Sequence, residues 1–423
     1  MPNCSNCRPP ATADFPPTGD TTLRHVPHRL ATALLLALPL AACNSSAKSD
    51  AEAKTPAAAQ AAPASQPAQT LTSAKGQIRV TQMARGLAHP WSLALLPDGS
   101  MLVTERGGAL RRVGTDGAVS APITGVPKVF ATGQGGLLDV VLAPDFATTQ
   151  RIYLSYAEPG ENGTAGTAVA YGTLAGDALA DVKVIYRQEP KVDGPNHFGS
   201  RLVFDGKGHL FISQGERNKR AMSQELDKLQ GKLVRLNLDG SVPQDNPFVG
   251  KAGARPEIWS YGHRNMQGMA LDPRTGTLWQ SEHGPRGGDE INLPQAGKNY
   301  GWPVITHGIN YSGQPIPEAE GKAKDGMEQP FHVWEKSPGV SGMAFYTGRP
   351  ESPWNDSVFL GSLAERNLIR LTLQGDTVLG EERLLNEIGE RVRDVRVGPD
   401  GNVYVVTDEE DGKLLRIEPP KAP

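Results

Sequence analysis

His197 and Glu216 are the residues of this 423-residue chain best placed to move a proton. His197 stands in Asn196-His-Phe-Gly-Ser-Arg201, just ahead of one short apolar run, and Glu216 follows the next such run in Gln214-Gly-Glu-Arg217. If the two runs form a hairpin, the start of one strand and the end of the other are neighbours. A carboxylate beside an imidazole orients the ring and stabilises its protonated form, as a general base requires. A lone histidine at a strand end usually serves structure; the paired carboxylate is what points to a base.

Three further groups carry chemistry. Tyr261-Gly-His-Arg-Asn-Met-Gln-Gly268 is dense in side chains that bind anions and carbonyls. In Glu282-His-Gly-Pro-Arg-Gly-Gly-Asp-Glu290, a Gly-Pro turn beside Asp289 and Glu290 can offer carbonyls and carboxylates to calcium, a hard cation that takes oxygen ligands. Arg391 and Arg393 are two apart in an apparent strand and share a face. Two guanidiniums aimed the same way suit a multiply charged anion; the alternative is a surface strand with scattered charge.

The elements that must position these groups come from a repeat. An alternating apolar strand, a turn rich in Pro, Asp and Gly, and a second apolar strand recur six times, starting near Trp91, Leu137, Arg201, Gly268, Gly342 and Asp394. One such hairpin buries little alone, whereas radial packing lets each small sheet cover its neighbour. The expectation is an all-β chain folded as a six-bladed β-propeller of four-stranded antiparallel blades over residues 76–419, with a short tail at 420–423. Unequal spacing argues against a β-helix and sixfold repetition against a sandwich. The extra length between Gly284 and Pro338 belongs in loops, which build sites on such scaffolds.

Seven motifs, in order, resemble those of the soluble sugar dehydrogenases that depend on pyrroloquinoline quinone (PQQ), in particular the aldose sugar dehydrogenase branch. They are Gln134-Gly-Gly-Leu-Leu138, His197 with Gly-Ser-Arg-Leu202, Tyr261 to Gly268, Glu282-His-Gly-Pro285, Asn299-Tyr-Gly-Trp-Pro303, Ser341-Gly-Met-Ala-Phe345 and Arg391-Val-Arg-Asp394. The resemblance runs from about Gln77 to Pro419. It implies an enzyme that oxidises the anomeric hydroxyl of an aldose to a lactone, with PQQ and calcium bound, and passes electrons to an external quinone or redox protein.

The resemblance also implies roles. His197 is the base and Glu216 its partner. Arg264 and Asn265 bond the reactive quinone carbonyl, where they stabilise negative charge. Gln267, Arg391 and Arg393 contact the cofactor, the arginines through its carboxylates. Gln134 lines the sugar site. The carbonyls of Gly284 and Pro285 hold a calcium, and Glu290 and Tyr300 stand where a further, structural calcium can sit. The loop His307 to Phe331 is expected to select the sugar. There is one departure. A lysine that contacts the cofactor in some members aligns with Ala364 here, and Arg366 is the nearest residue able to compensate. Two rival functions remain: a calcium-dependent lactonase-type propeller hydrolase, which would not need the arginine pair, and a non-catalytic propeller binding protein or polysaccharide at the cell envelope.

The N-terminal part is an address. Leu30 to Ala42 is an apolar run behind Arg24 and Arg29, shorter than the about 20 residues of a membrane-spanning helix. A basic flank, an apolar middle and small residues mark a secretory signal. Leu40-Ala-Ala-Cys43 resembles the bacterial lipobox, so residues 1–43 are expected to be an N-terminal extension, unlike a signal before about Leu23, and a lipoprotein signal peptide that gives lipid anchoring at Cys43 on the periplasmic side; the alternative is an ordinary cleaved signal with an incidental cysteine. Residues 44–75, rich in Ala, Pro, Ser and Gln, are expected to form a flexible tether. Cys4 and Cys7 form a C-x-x-C pair, but neither a second pair nor paired histidines follow to complete a zinc site. The formal net charge of -3 offers no basic patch of the kind nucleic acid requires.

Overall fold

Six antiparallel sheets succeed one another around an axis, and the six expected hairpins are the two innermost strands of each. The computed structural model describes residues 67–375 and 377–421. The expected signal, Cys4, Cys7, Cys43 and most of the tether lie outside the described residues. The first blade comprises Pro90–Leu95, Met101–Glu105 and Ala109–Val113. The second is Leu137–Leu142, Arg151–Pro159, Ala165–Ala175 and Ala178–Arg187. The third is Gly199–Phe204, His209–Gln214, Lys232–Asn237 and Ile258–Tyr261. The fourth is Met266–Leu271, Leu278–Glu282, Asp289–Asn292 and His332–Trp334. The fifth is Val340–Phe345, Ser357–Ser362, Asn367–Gln374 and Thr377–Leu384.

The sixth blade closes the ring. Val392–Val397, Val403–Thr407 and Gly412–Glu418 come from the C-terminal end, and Gly76–Leu87 pairs onto them from the N-terminal end. A fifth strand, Gln69–Ser73, then pairs with Gly76–Leu87, so the expected tether gives way to structure before residue 75. The cause is local: Leu71 packs on the core shared by the fifth and sixth blades, while the hairpin satisfies the backbone of its polar neighbours.

Each junction between consecutive blades has its own apolar cluster. Leu102 and Leu110 meet Val140 and Leu154 between the first and second blades, and Leu93 and Met101 meet Tyr404 and Val406 between the first and sixth. Fully burying one such side chain contributes about 1.5–3 kcal/mol. The innermost strands contact one another in sequence around the axis and back to the first. In five of the six blades the innermost strand begins where its neighbour ends: Pro90 faces Glu105, Gly199 faces Gln214, Met266 faces Glu282, Val340 faces Ser362 and Val392 faces Thr407. Innermost starts and second-strand ends therefore share one face of the ring, and residues just beyond them can converge there.

A buried ionic plug lies on the axis. Arg201, 1% exposed, holds Asp139 Oδ1 at 2.9 Å and Asp394 Oδ1 at 3.1 Å through Nη1, and its guanidinium carbon is 4.4 Å from the ring centre of Trp91. It also donates from Nε to the Gln267 carbonyl at 3.1 Å. These residues come from the first, second, third, fourth and sixth blades, so one side chain ties five blades together.

Candidate active site

The shared face carries a cavity of about 750 Å³. Its walls include Trp91, Leu138, Gly199, Gln267 and Arg393 from the starts of innermost strands, and Arg106, His283 to Gly287 and Ala364 from beyond second strands. A neighbouring pocket of about 260 Å³ holds His197, Glu216, Arg264 and Trp302. Gln134, Pro285 and Tyr311 line both.

His197 and Glu216 meet as the hairpin geometry requires. Gly199 pairs with Gln214, and His197 Nδ1 lies 2.8 Å from Glu216 Oε2. His197 sits at φ 56, outside the regular strand, and its backbone N–H donates to Gln134 Oε1 at 2.8 Å. Arg217 clamps the same loop: it donates to the Gly194 and Asn196 carbonyls and stacks on Phe198 at 3.6 Å. Burial pulls the His197 imidazole below its ordinary value, and the Glu216 bond only partly offsets this. Burial pushes Glu216 up, but His197, Arg264 and the Asn218 N–H outweigh it and leave the carboxyl below its usual range. The pair is thus a neutral imidazole beside a carboxylate, with Nδ1–H donating to Glu216 and Nε2 left for a substrate.

Arg264 bridges the two pockets' walls. Its Nη1 donates to the carbonyls of His283 at 3.0 Å and Gly284 at 2.6 Å, and its N–H is fixed by Glu282 Oε2 at 2.6 Å. Asn265 Oδ1 accepts from Gly199 N–H and Gln267 Nε2, both at 3.2 Å. Asn265 Nδ2, Arg264 Nε and Arg393 Nε are buried with no partner among the described residues. Such donors cost free energy unless a ligand accepts from them.

Arg391 and Arg393 both line the cavity and converge on Asp408. Arg393 Nη2 is 2.6 Å from Asp408 Oδ2, and Arg391 Nη2 is 3.5 Å from the same oxygen. Arg106 Nη1 adds a contact to Oδ1 at 3.8 Å. Burial pushes the Asp408 carboxyl up, but Arg393, Arg106 and Arg391 together hold it well below the carboxylate range. Gln267 Oε1 receives a bond from Arg393 Nη1 at 3.1 Å, which places it between the anion end and Asn265.

The residues expected to hold metals fall into two places. The Gly284 carbonyl is shared with Arg264, while no described group donates to the Pro285 carbonyl. Asp289, whose carboxylate the sequence offered beside the turn, is engaged by backbone amides. Its Oδ1 accepts Gly284 N–H at 3.0 Å and its Oδ2 accepts Gly339 and Val340 N–H at 2.7 and 3.0 Å, so it pins the loop to the fifth blade. Glu290 and Tyr300 line a separate space of about 20 Å³ with Glu282 and His307. That is room for one ion or one water. Burial, reinforced by the charge of Glu282, pushes Glu290 up to about 8. One buried carboxylate, Glu282, and one half-buried, Glu290, around a one-atom space are a donor set that fits a hard cation.

Ala364 lines the cavity, but Arg366 does not replace a lysine there. At φ 60 in the turn, Arg366 points to the Gly389 carbonyl at 2.6 Å and Glu409 Oε1 at 2.7 Å. Arg106 and Asp408 were missed from sequence. The signal was the repeat itself: a Glu-Arg pair stands at the end of a second strand at Glu105-Arg106 as at Glu216-Arg217, and Asp408 follows another second strand. Of the loop expected to select the substrate, Ile309, Tyr311 and Gly313 reach the larger cavity and Asn310 and Tyr311 the smaller.

Comparison with known proteins agrees with this geometry. Residues 87–416 match the family model described as Glucose / Sorbosone dehydrogenase. The chain is 55% identical over 355 residues to the aldose sugar dehydrogenase YliI of Escherichia coli, covering 83% of this chain and 96% of that one. The crystal structure of the soluble Escherichia coli aldose sugar dehydrogenase in its apo-form superposes with a TM-score of 0.79 over 81% of this chain and all (100%) of that one, at 55% identity. The PQQ-bound form of the aldose sugar dehydrogenase from Streptomyces coelicolor gives a TM-score of 0.68 at 29% identity, over 82% of this chain and 100% of that one.

Proposed function

Because this chain belongs to the glucose/sorbosone dehydrogenase family of oxidoreductases, we propose that it is a PQQ- and calcium-dependent aldose dehydrogenase that converts the anomeric hydroxyl to a lactone. The observation that carries the reading is the His197–Glu216 pair opening beside a cavity ringed by Arg106, Arg391 and Arg393. When bound, PQQ supplies a two-electron acceptor and calcium a Lewis acid beside it.

The chain's own residues do the rest. Gln267, Asn265, Arg391 and Arg393 would hold the cofactor, and the Gly284 and Pro285 carbonyls the calcium. The unpartnered Asn265 Nδ2 and Arg264 Nε suit a carbonyl that gains negative charge. His197 Nε2 takes the proton of the anomeric hydroxyl, and Glu216 steadies the imidazolium that results. Trp302 and Tyr311 give the sugar pocket apolar walls, and Gln134 ties it to the His197 backbone. The Glu290 carboxylate and an oxygen of Tyr300 would hold the structural cation.

Reconstitution tests the reading. Purified apo-protein should reduce an artificial dye with aldoses only after both PQQ and calcium are added, and chelation should reverse this. Full turnover with calcium stripped, or sugar oxidation without PQQ, would refute it. The external electron acceptor is proposed to be a quinone or redox protein.

We further propose that Cys43 carries lipid and tethers the enzyme to the periplasmic side of a membrane. One acyl chain anchors only marginally, so attachment needs the several chains of a bacterial lipoprotein. Cys43→Ser should move the protein from the membrane to the soluble fraction. A wild type found in the soluble fraction would show the lipobox reading to be wrong.

A further inference from the structure

Asp408 is 4% exposed at its side chain, and four cationic or ionisable groups face it: Arg393 at 2.6 Å, His89 Nδ1 at 3.0 Å, Arg391 at 3.5 Å and Arg106 at 3.8 Å. Three guanidiniums against one carboxylate leave a surplus of two positive charges at this end of the cavity. The adjacent acid, Glu409, does not cancel it, because Glu409 is paired with Arg366 outside the cavity. A surplus held this close is unfavourable alone and becomes favourable when a polyanion arrives.

Arg106 is built into this arrangement. Its N–H donates to the His89 carbonyl at 3.1 Å and its carbonyl accepts from Leu137 N–H at 3.2 Å. Gly136, at φ +146, lies against it. A Cβ there would come 1.9 Å from the Arg106 oxygen and 2.7 Å from its Cγ. The glycine of the Gln134-Gly-Gly-Leu-Leu138 segment therefore makes the space through which Arg106 crosses from the first blade to the sixth.

We propose that Arg106 is a third anion-binding residue of the cavity and that Asp408 is the positioning residue that holds all three guanidiniums in register for a polycarboxylate. The proposal rests on the reading of the ligand as PQQ. It supplies the charge that Ala364 lacks and Arg366 does not deliver. Asp408 need not touch the ligand. Without it, the three arginines repel one another and lose a shared direction, so the site becomes more positive and yet less able to bind.

The test titrates apo-protein at saturating calcium with PQQ and with its trimethyl ester, which lacks the carboxylate charges, following quenching of tryptophan fluorescence. Arg106→Ala should raise the Kd for PQQ about tenfold, which corresponds to about 1.4 kcal/mol. The ratio of ester Kd to PQQ Kd should fall in that variant, and Arg106→Lys should restore part of it. Asp408→Asn and Asp408→Glu should both weaken PQQ binding, the first despite its added positive charge. Arg366→Ala should leave the Kd unchanged. Unaltered PQQ affinity in Arg106→Ala, or tighter binding in Asp408→Asn, would overturn the proposal while leaving the enzyme's function intact. A wild type that fails to bind PQQ would overturn the functional reading itself. Melting curves of each variant identify any that do not fold, and the Glu and Lys variants then carry the comparison.

Discussion

His197→Ala should lower kcat by about 10²–10⁴-fold, the usual cost of removing a positioned base. PQQ affinity should stay close to wild type, because the ring's one bond runs to Glu216 and not to the groups assigned to the cofactor. Arg393→Ala should do the reverse, raising the PQQ needed for half-maximal rate more than it lowers the rate at saturation. The pH profile gives a second reading of the same residue. The base works when neutral, so kcat/KM falls as pH drops through its pKa. Burial depresses that pKa below the ordinary 6.5, so the acid limb should lie below pH 6.5. In His197→Ala the limb should vanish along with most of the rate. Wild-type kcat in His197→Ala would make the histidine structural and turn attention to Glu216.

Arg201→Ala should cost about 3–5 kcal/mol of stability, the range for removing one partner of a buried ion pair. Asp139 and Asp394 are both fully buried, and each also binds a backbone N–H, of Leu202 at 2.8 Å and Leu93 at 3.1 Å. Arg396 stays within 3.1 Å of Asp139 and 2.9 Å of Asp394, but it is the more exposed partner and cannot replace a guanidinium on the axis. The loss is read as a shift of the urea midpoint. Removing Arg201 also frees Trp91 and the Gln267 carbonyl, so the cavity floor should loosen and PQQ affinity fall with it. A change under about 1 kcal/mol, the scale of an exposed pair, would show that the plug does not hold the blades.

The parts of the fold legible in sequence were those with strong local signals. Alternating apolar strands joined by Pro-Asp-Gly turns exposed all six inner hairpins. Outer strands did not announce themselves: His332–Trp334 has three residues and Ile258–Tyr261 four, too few for a period to show. Gln69–Ser73 was hidden for a similar reason, since Leu71 is its single large apolar residue. At the site, His197 and Glu216 could be paired because they flank one hairpin. Arg106 and Asp408 could not, because only ring closure brings their blades together. The partners of Asp289 and Arg366 were not legible from residue type. A carboxylate beside a glycine-rich turn satisfies amides as readily as a metal, and an arginine in a turn takes the nearest carbonyl.

The strand Gly76–Leu87 pairs with Gln69–Ser73 on one edge, but its other edge has no partner until Gly412–Glu418 exists, so the sixth blade is the last of the six to be completed in chain order. A chain ending before Gly412 would keep the Val392–Val397/Val403–Thr407 hairpin but leave the seam to Gly76–Leu87 open. Arg106 lies on one side of that seam and Asp408, Arg391 and Arg393 on the other. The anion site is therefore a product of closure, and a ligand that engages both sides binds only the closed ring. By linkage, such a ligand shifts the equilibrium toward closure by RT ln(1 + [L]/Kd), so that at about a hundredfold excess over Kd it adds about 2.7 kcal/mol. A cofactor held there acts as the fastener of the ring as well as its reagent.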